Sequence, residues 1–235
     1  MRWRNVAAMS YETTTERGFL LSTREWGVIG GATGLMLLNV FVMYAMAATP
    51  LARINRIVFS IGIVGALLYG ALITGGQMLA ERGFENNSMG MAMAGVVVLE
   101  LAFGAFGGGV LSFLSEGVRI PALAITGAVV VVMTAAIGTY VYVRSGTQFD
   151  HYGRWATYAF LGGLGAILVA TFVPLVGIVG FVCIFVGFLL RLGYEMWEIR
   201  ESRGRPAMQS VGLYVAVAGV FVHVLQIVVR MLAER

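Results

Sequence analysis

Read along its length, the chain alternates long apolar runs with short polar interruptions. An apolar helix needs about 20 residues to cross roughly 30 Å of hydrocarbon. Runs of that length occur at 27–48, closed by Thr49 and Pro50, and at 57–80, closed by Glu81 and Arg82. A third, 89–115, holds a single charge, Glu100, and a fourth, 120–143, places Pro121 for a first helical turn. From 155 to 190 there is no charge, and one helix over that stretch would be about 54 Å long, too long for one crossing even with tilt. Pro174 and Gly177 divide it into 155–173 and 175–197, and the last run is 211–229. The pattern predicts an all-α, polytopic integral membrane bundle of seven transmembrane helices, with six as the alternative if the stretch around Pro174 does not cross twice. Residues 1–26 form an N-terminal tail and 27–235 one transmembrane domain.

Composition agrees with lipid as the solvent. Of 235 residues, 59% are hydrophobic and 12% charged, about half the charge that dresses a water-facing domain, and the mean hydropathy is +0.85. All sixteen basic residues are arginine. With no lysine there is no retinal Schiff base and no catalytic lysine. The basic balance points to a lipid bilayer with anionic headgroups rather than to nucleic acid, for which no basic and aromatic groove is visible. With seven spans, eleven arginines fall on the side of the N-terminal tail and of the loops near 81–90, 144–154 and 191–206, and five on the other. The N-terminus is therefore expected in the cytoplasm and the C-terminus outside, and the absence of lysine points to a prokaryotic plasma membrane. Arg2 and Arg4 lead into polar residues with no apolar core before Gly18, unlike a signal peptide.

Little of the usual enzymatic chemistry is present. There is no nucleophile elbow, phosphate loop or zinc-protease helix, so no enzyme and no cofactor are expected. Cys183 is the single cysteine and sits in an apolar run, which reads as an inert thiol. A charge at mid-membrane costs about 2.5–3.5 kcal/mol on insertion scales and therefore faces the bundle interior. Glu100 is the deepest acid, a candidate protonatable or cation-coordinating group on an ion path, or else a carboxyl locking helices together. Glu195 follows Arg191 by one turn, which makes an ion pair, or a gate acid, at the end of the sixth span. His223, inside the last span, is a candidate proton relay or an interhelical hydrogen-bond donor. Asn39, Gln77 and Gln226 read as interhelical glue. The spacings Gly30/Gly34, Gly104/Gly108 and Gly162/Ala166 suit close helix packing, within the bundle or in a homo-oligomer or partner interface.

Two segments carry a resemblance. One is Tyr142-Val143-Arg144-Ser145-Gly146-Thr147-Gln148-Phe149-Asp150-His151-Tyr152-Gly153; the other runs from Gly193-Tyr194-Glu195-Met196-Trp197-Glu198-Ile199 through Gly212-Leu213-Tyr214-Val215-Ala216 to Val229-Arg230-Met231-Leu232. They resemble the transmembrane Bax inhibitor motif family of seven-helix membrane proteins: a basic loop with an aspartate before helix five, matched by Asp150, an acid closing helix six, and a Leu-Tyr-x-Asp segment in the last helix. The resemblance implies a passive, pH-sensitive leak for calcium or other cations, closed by two acids on helices six and seven that share a proton. Glu195 matches the first acid, whereas the second falls at Ala216, which cannot ionise. The alternative from another class is a non-conducting membrane subunit or regulator held to a partner membrane protein by its glycine-rich faces.

Overall fold

A computed structural model describes residues 21–52, 62–144, 146–202 and 204–234. Most of the N-terminal tail, the start of the 57–80 run and the positions of Arg2, Arg4, Arg17, Arg53, Arg56, Arg203 and Arg235 lie outside the described residues. Among the described residues, all regular structure is helical, in seven helices: α1 (Thr23–Ala48), α2 (Gly62–Glu85), α3 (Met89–Leu111), α4 (Glu116–Val143), α5 (Asp150–Ala170), α6 (Val176–Glu201) and α7 (Pro206–Ala233). Five of them, α1, α3, α4, α6 and α7, are long and apolar enough to cross a membrane, as a multi-pass membrane protein requires.

The boundaries follow backbone chemistry more closely than hydropathy. α1 begins four residues before its apolar run, because Ser22 and Glu25 form a reciprocal capping box. The first turn of α1 thus belongs to the helix rather than to a tail ending at residue 26. α7 starts at Pro206, where a residue without an N–H leaves no donor unsatisfied. The charge-free stretch does break: α5 ends at Ala170, the chain turns through Pro174, and α6 starts at Val176. α4 starts at Glu116, so Pro121 lies inside the helix rather than in its first turn.

Glycines set the packing of neighbours. A methyl group on Gly95 would stand 2.3 Å from the Ala80 amide nitrogen, and one on Gly83 would stand 2.2 Å from that of Ala92, so α2 and α3 touch backbone to backbone. Gly163 and Gly180 bring α5 and α6 together in the same way. Gly104 and Gly108 seat Val42 and Met46 of α1, which places that spacing inside the bundle. Gly30 and Gly34 face open space, and so does Gly162.

The centre of the bundle is α7. Eighteen of its 28 residues are buried, against five of 28 in α4, and it packs on α1, α2, α3, α4 and α6. The outer surface is apolar: Leu37, Phe41, Val131, Val132, Phe172 and Leu175 are all more than 60% exposed. Such a shell would aggregate in water and is the ordinary surface of a protein dissolved in lipid. At one end, hydrogen bonds tie helix termini together. Arg24 donates to the Ile199 carbonyl at 3.0 Å, to the Gly204 carbonyl at 2.8 Å and to the Gln209 side chain. Arg200 donates to the Tyr142 carbonyl at 2.7 Å, and Arg205 to that of Phe84. The start of α1, the ends of α2, α4 and α6 and the start of α7 therefore meet at one level, and successive helices run antiparallel.

Candidate functional site

Two acids are buried against the central helix. Glu195 lies on α6, with its side chain 4% exposed, and accepts a hydrogen bond from Arg191 Nε at 2.6 Å. The two are four residues apart on one helix, so the pair follows from helical geometry alone. The carboxylate is inside the protein, and only the arginine, 30% exposed, reaches the surface. Across the interface, the α7 residue that meets the carboxylate is Gly212. A methyl group on Gly212 would stand 2.5 Å from Glu195 Oε2, so this glycine is what makes room for the carboxylate. Glu81 and Glu198 act on Glu195 through space, but among the described residues its one hydrogen-bond partner is Arg191. The α7 position facing Glu195 is Gly212, one turn before the buried Ala216 that the resemblance pointed to, and neither residue can ionise.

Glu100 is built differently. It lies on α3, is 6% exposed, and has no charged partner in any ion pair among the described residues. Asn39 of α1, fully buried, donates from Nδ2 to Glu100 Oε2 at 2.9 Å and to the Glu100 carbonyl at 3.0 Å. Tyr214 of α7, also fully buried, brings its hydroxyl close enough to the carboxylate to interact with it, without a well-aligned hydrogen bond. The Tyr214 ring is held edge-on against Phe103, with ring centres 6.0 Å apart. Three oxygens of this cluster are buried without a well-aligned hydrogen bond: Asn39 Oδ1, Glu100 Oε1 and the Tyr214 hydroxyl. Buried oxygens normally have a partner, so three at one junction of three helices is a departure with a cause to find.

The other predicted residues are placed apart from these two. His223 is nine residues beyond Tyr214 on α7, about 13 Å along the axis. Its Nδ1 lies 2.8 Å from the Gly219 carbonyl of its own helix, and Phe181, Phe185 and Phe188 of α6 surround the ring. Among the described residues it bonds within α7 and not to a neighbouring helix. Asp150 opens α5, where a negative charge suits the helix dipole, and pairs loosely with Arg154 at 3.6 Å and His151 at 3.9 Å, all well exposed. Gln77 bonds Glu81 and Gln226 bonds the Val222 carbonyl, each within one helix, so of the three amides only Asn39 links helices. Cys183 is half-buried. Among the described residues no three His, Cys, Asp or Glu side chains cluster as a metal site.

Sequence reasoning singled out Glu100, Glu195, Arg191 and Asn39, and named Gly212 and Tyr214 only as part of the resemblance segment, with no role. A phenol in the middle of an apolar run was the available signal for Tyr214. Gly212 carried none, being one glycine among 32. No protein-family model, no curated protein and no solved structure matches this chain.

Proposed function

We propose that this chain is a seven-span protein of the plasma membrane, with the arginine-rich end in the cytoplasm, that lets small cations or protons leak slowly along the faces of α7. The observation that carries the reading is Glu100: an acid at the junction of three helices with neutral partners only. A buried charge of that kind is costly to keep, and in a membrane protein it marks an ion path or a proton site. Gly212 and Tyr214 are two residues apart, about 3 Å along α7 and about 200° around it. The two carboxylates therefore pack on different faces of the central helix. A pH-sensitive calcium leak of the Bax-inhibitor kind would place the gate at Glu195, and the absence of an acid at Ala216 and Gly212 moves the weight of the proposal to Glu100. The test is flux of sodium, calcium and protons into proteoliposomes, with Glu100→Gln and Glu195→Gln beside wild type. Flux in wild type that Glu100→Gln lowers at least fivefold supports the reading, and flux equal to empty vesicles in all three overturns it.

One observation favours a second reading. On α1, no described residue of another element lies within 4 Å of a methyl group placed on Gly27, Gly30 or Gly34, a spacing that fits another helix closely. On that reading the protein is a non-conducting subunit or regulator, and a stoichiometric partner membrane protein co-purifies in mild detergent.

A further inference from the structure

The Glu100 cluster has a composition that selects its ligand. Its atoms without a well-aligned hydrogen bond are a carboxylate oxygen, an amide oxygen and a phenol oxygen, supplied by three different helices. All three are hard oxygen donors, the kind that replaces the hydration shell of sodium-like and calcium-like ions rather than of softer metals. The set carries one formal negative charge, and no ion pair among the described residues supplies a positive one. A monovalent cation makes the cluster neutral. A divalent ion leaves a net positive charge inside the bundle, and calcium sites ordinarily use six to eight oxygens, with several carboxylates among them. A proton on Glu100 can be shared with one oxygen at a time, whereas a cation held against the carboxylate can draw on more than one of them.

We propose that Glu100, Asn39 and Tyr214 form a binding site for one small monovalent cation of the sodium class, between α1, α3 and α7. The inference rests on the ion-path reading of Glu100 and names the ion, but binding can be measured without transport. Asn39 fixes one carboxylate oxygen through its amide nitrogen and leaves its own oxygen free for the ion. Tyr214 ties the site to the central helix, so occupancy of the site braces α1, α3 and α7 against one another.

Thermal unfolding of the purified full chain in mild detergent tests this, in sodium chloride against choline chloride at equal ionic strength and fixed pH. Sodium is expected to raise the wild-type Tm saturably, on the order of 5 °C once it reaches about a hundred times its Kd. Glu100→Gln is expected to remove the sodium response. Tyr214→Phe, which keeps the ring against Phe103, is expected to raise the half-saturating sodium concentration at least tenfold with little change in choline; it serves as the test if Glu100→Gln does not fold. Coincident sodium and choline curves in wild type overturn the site. So does a Tm that follows pH alone, or a larger saturable response to calcium chloride that Glu100→Gln removes. A sodium response without flux sinks the leak and keeps the site, while flux without a sodium response does the reverse.

Discussion

Glu195 and Glu100 are both buried carboxylates packed on α7, and the protein treats them in opposite ways. Glu195 is neutralised from its own helix: Arg191, one turn away, holds it at 2.6 Å, and the facing residue is a glycine. Among the described residues Glu100 is met by neutral groups from two other helices, and its second oxygen has no well-aligned hydrogen bond. A locally compensated acid can be a structural element. An acid that three helices converge on, and none neutralises, has a lone pair to offer. The difference teaches that burial alone does not mark the functional carboxylate; the source of its compensation does.

The largest effect is expected at Arg191. Arg191→Leu strands the Glu195 charge inside the protein, and the expected loss is about 2–4 kcal/mol, below the full range for a buried pair because the arginine is partly exposed. Unfolding in detergent reads it, and the double variant Arg191→Leu/Glu195→Leu should recover most of the loss. A single variant as stable as wild type would show that Glu195 is not held ionised by its neighbour. The contrast is sharpened at the other acid. Glu100→Gln removes a charge with no counter-charge and keeps the side-chain shape, so in sodium-free buffer stability should hold or rise by about 1 kcal/mol. A loss above about 2 kcal/mol would mean that the ionised carboxylate is itself a structural tie. The smallest effect belongs to the exposed acid. Asp150→Asn, at the wet start of α5, should change stability by less than about 0.5 kcal/mol and leave flux as in wild type. A clear change in flux would return the basic loop of the Bax-inhibitor resemblance to the site.

Much of the fold was legible because lipid imposes a simple rule: a helix must present about 20 apolar residues, and charges end the run. The break at Pro174 was legible for a separate reason, since proline cannot continue a backbone ladder. The helix ends were less so. α6 runs on to Glu201 and α7 begins at Pro206, because hydropathy marks where lipid stops and not where hydrogen bonding stops. The glycine pairs read equally well for several uses. Only packing separated Gly104 and Gly108, which receive α1, from Gly30 and Gly34, which receive nothing.

By itself the sequence determined the solvent, the helices and the one local pair, Arg191 with Glu195. Those depend on residue type and on spacing along one helix, both written in the chain. The tertiary structure alone decided that α7 is central, that Gly212 and not position 216 faces Glu195, and that Asn39, Glu100 and Tyr214 meet. These groups are 61 and 114 residues apart in order along the chain. No local rule relates them; the backbone contacts of the glycines and the burial of α7 bring them to one place.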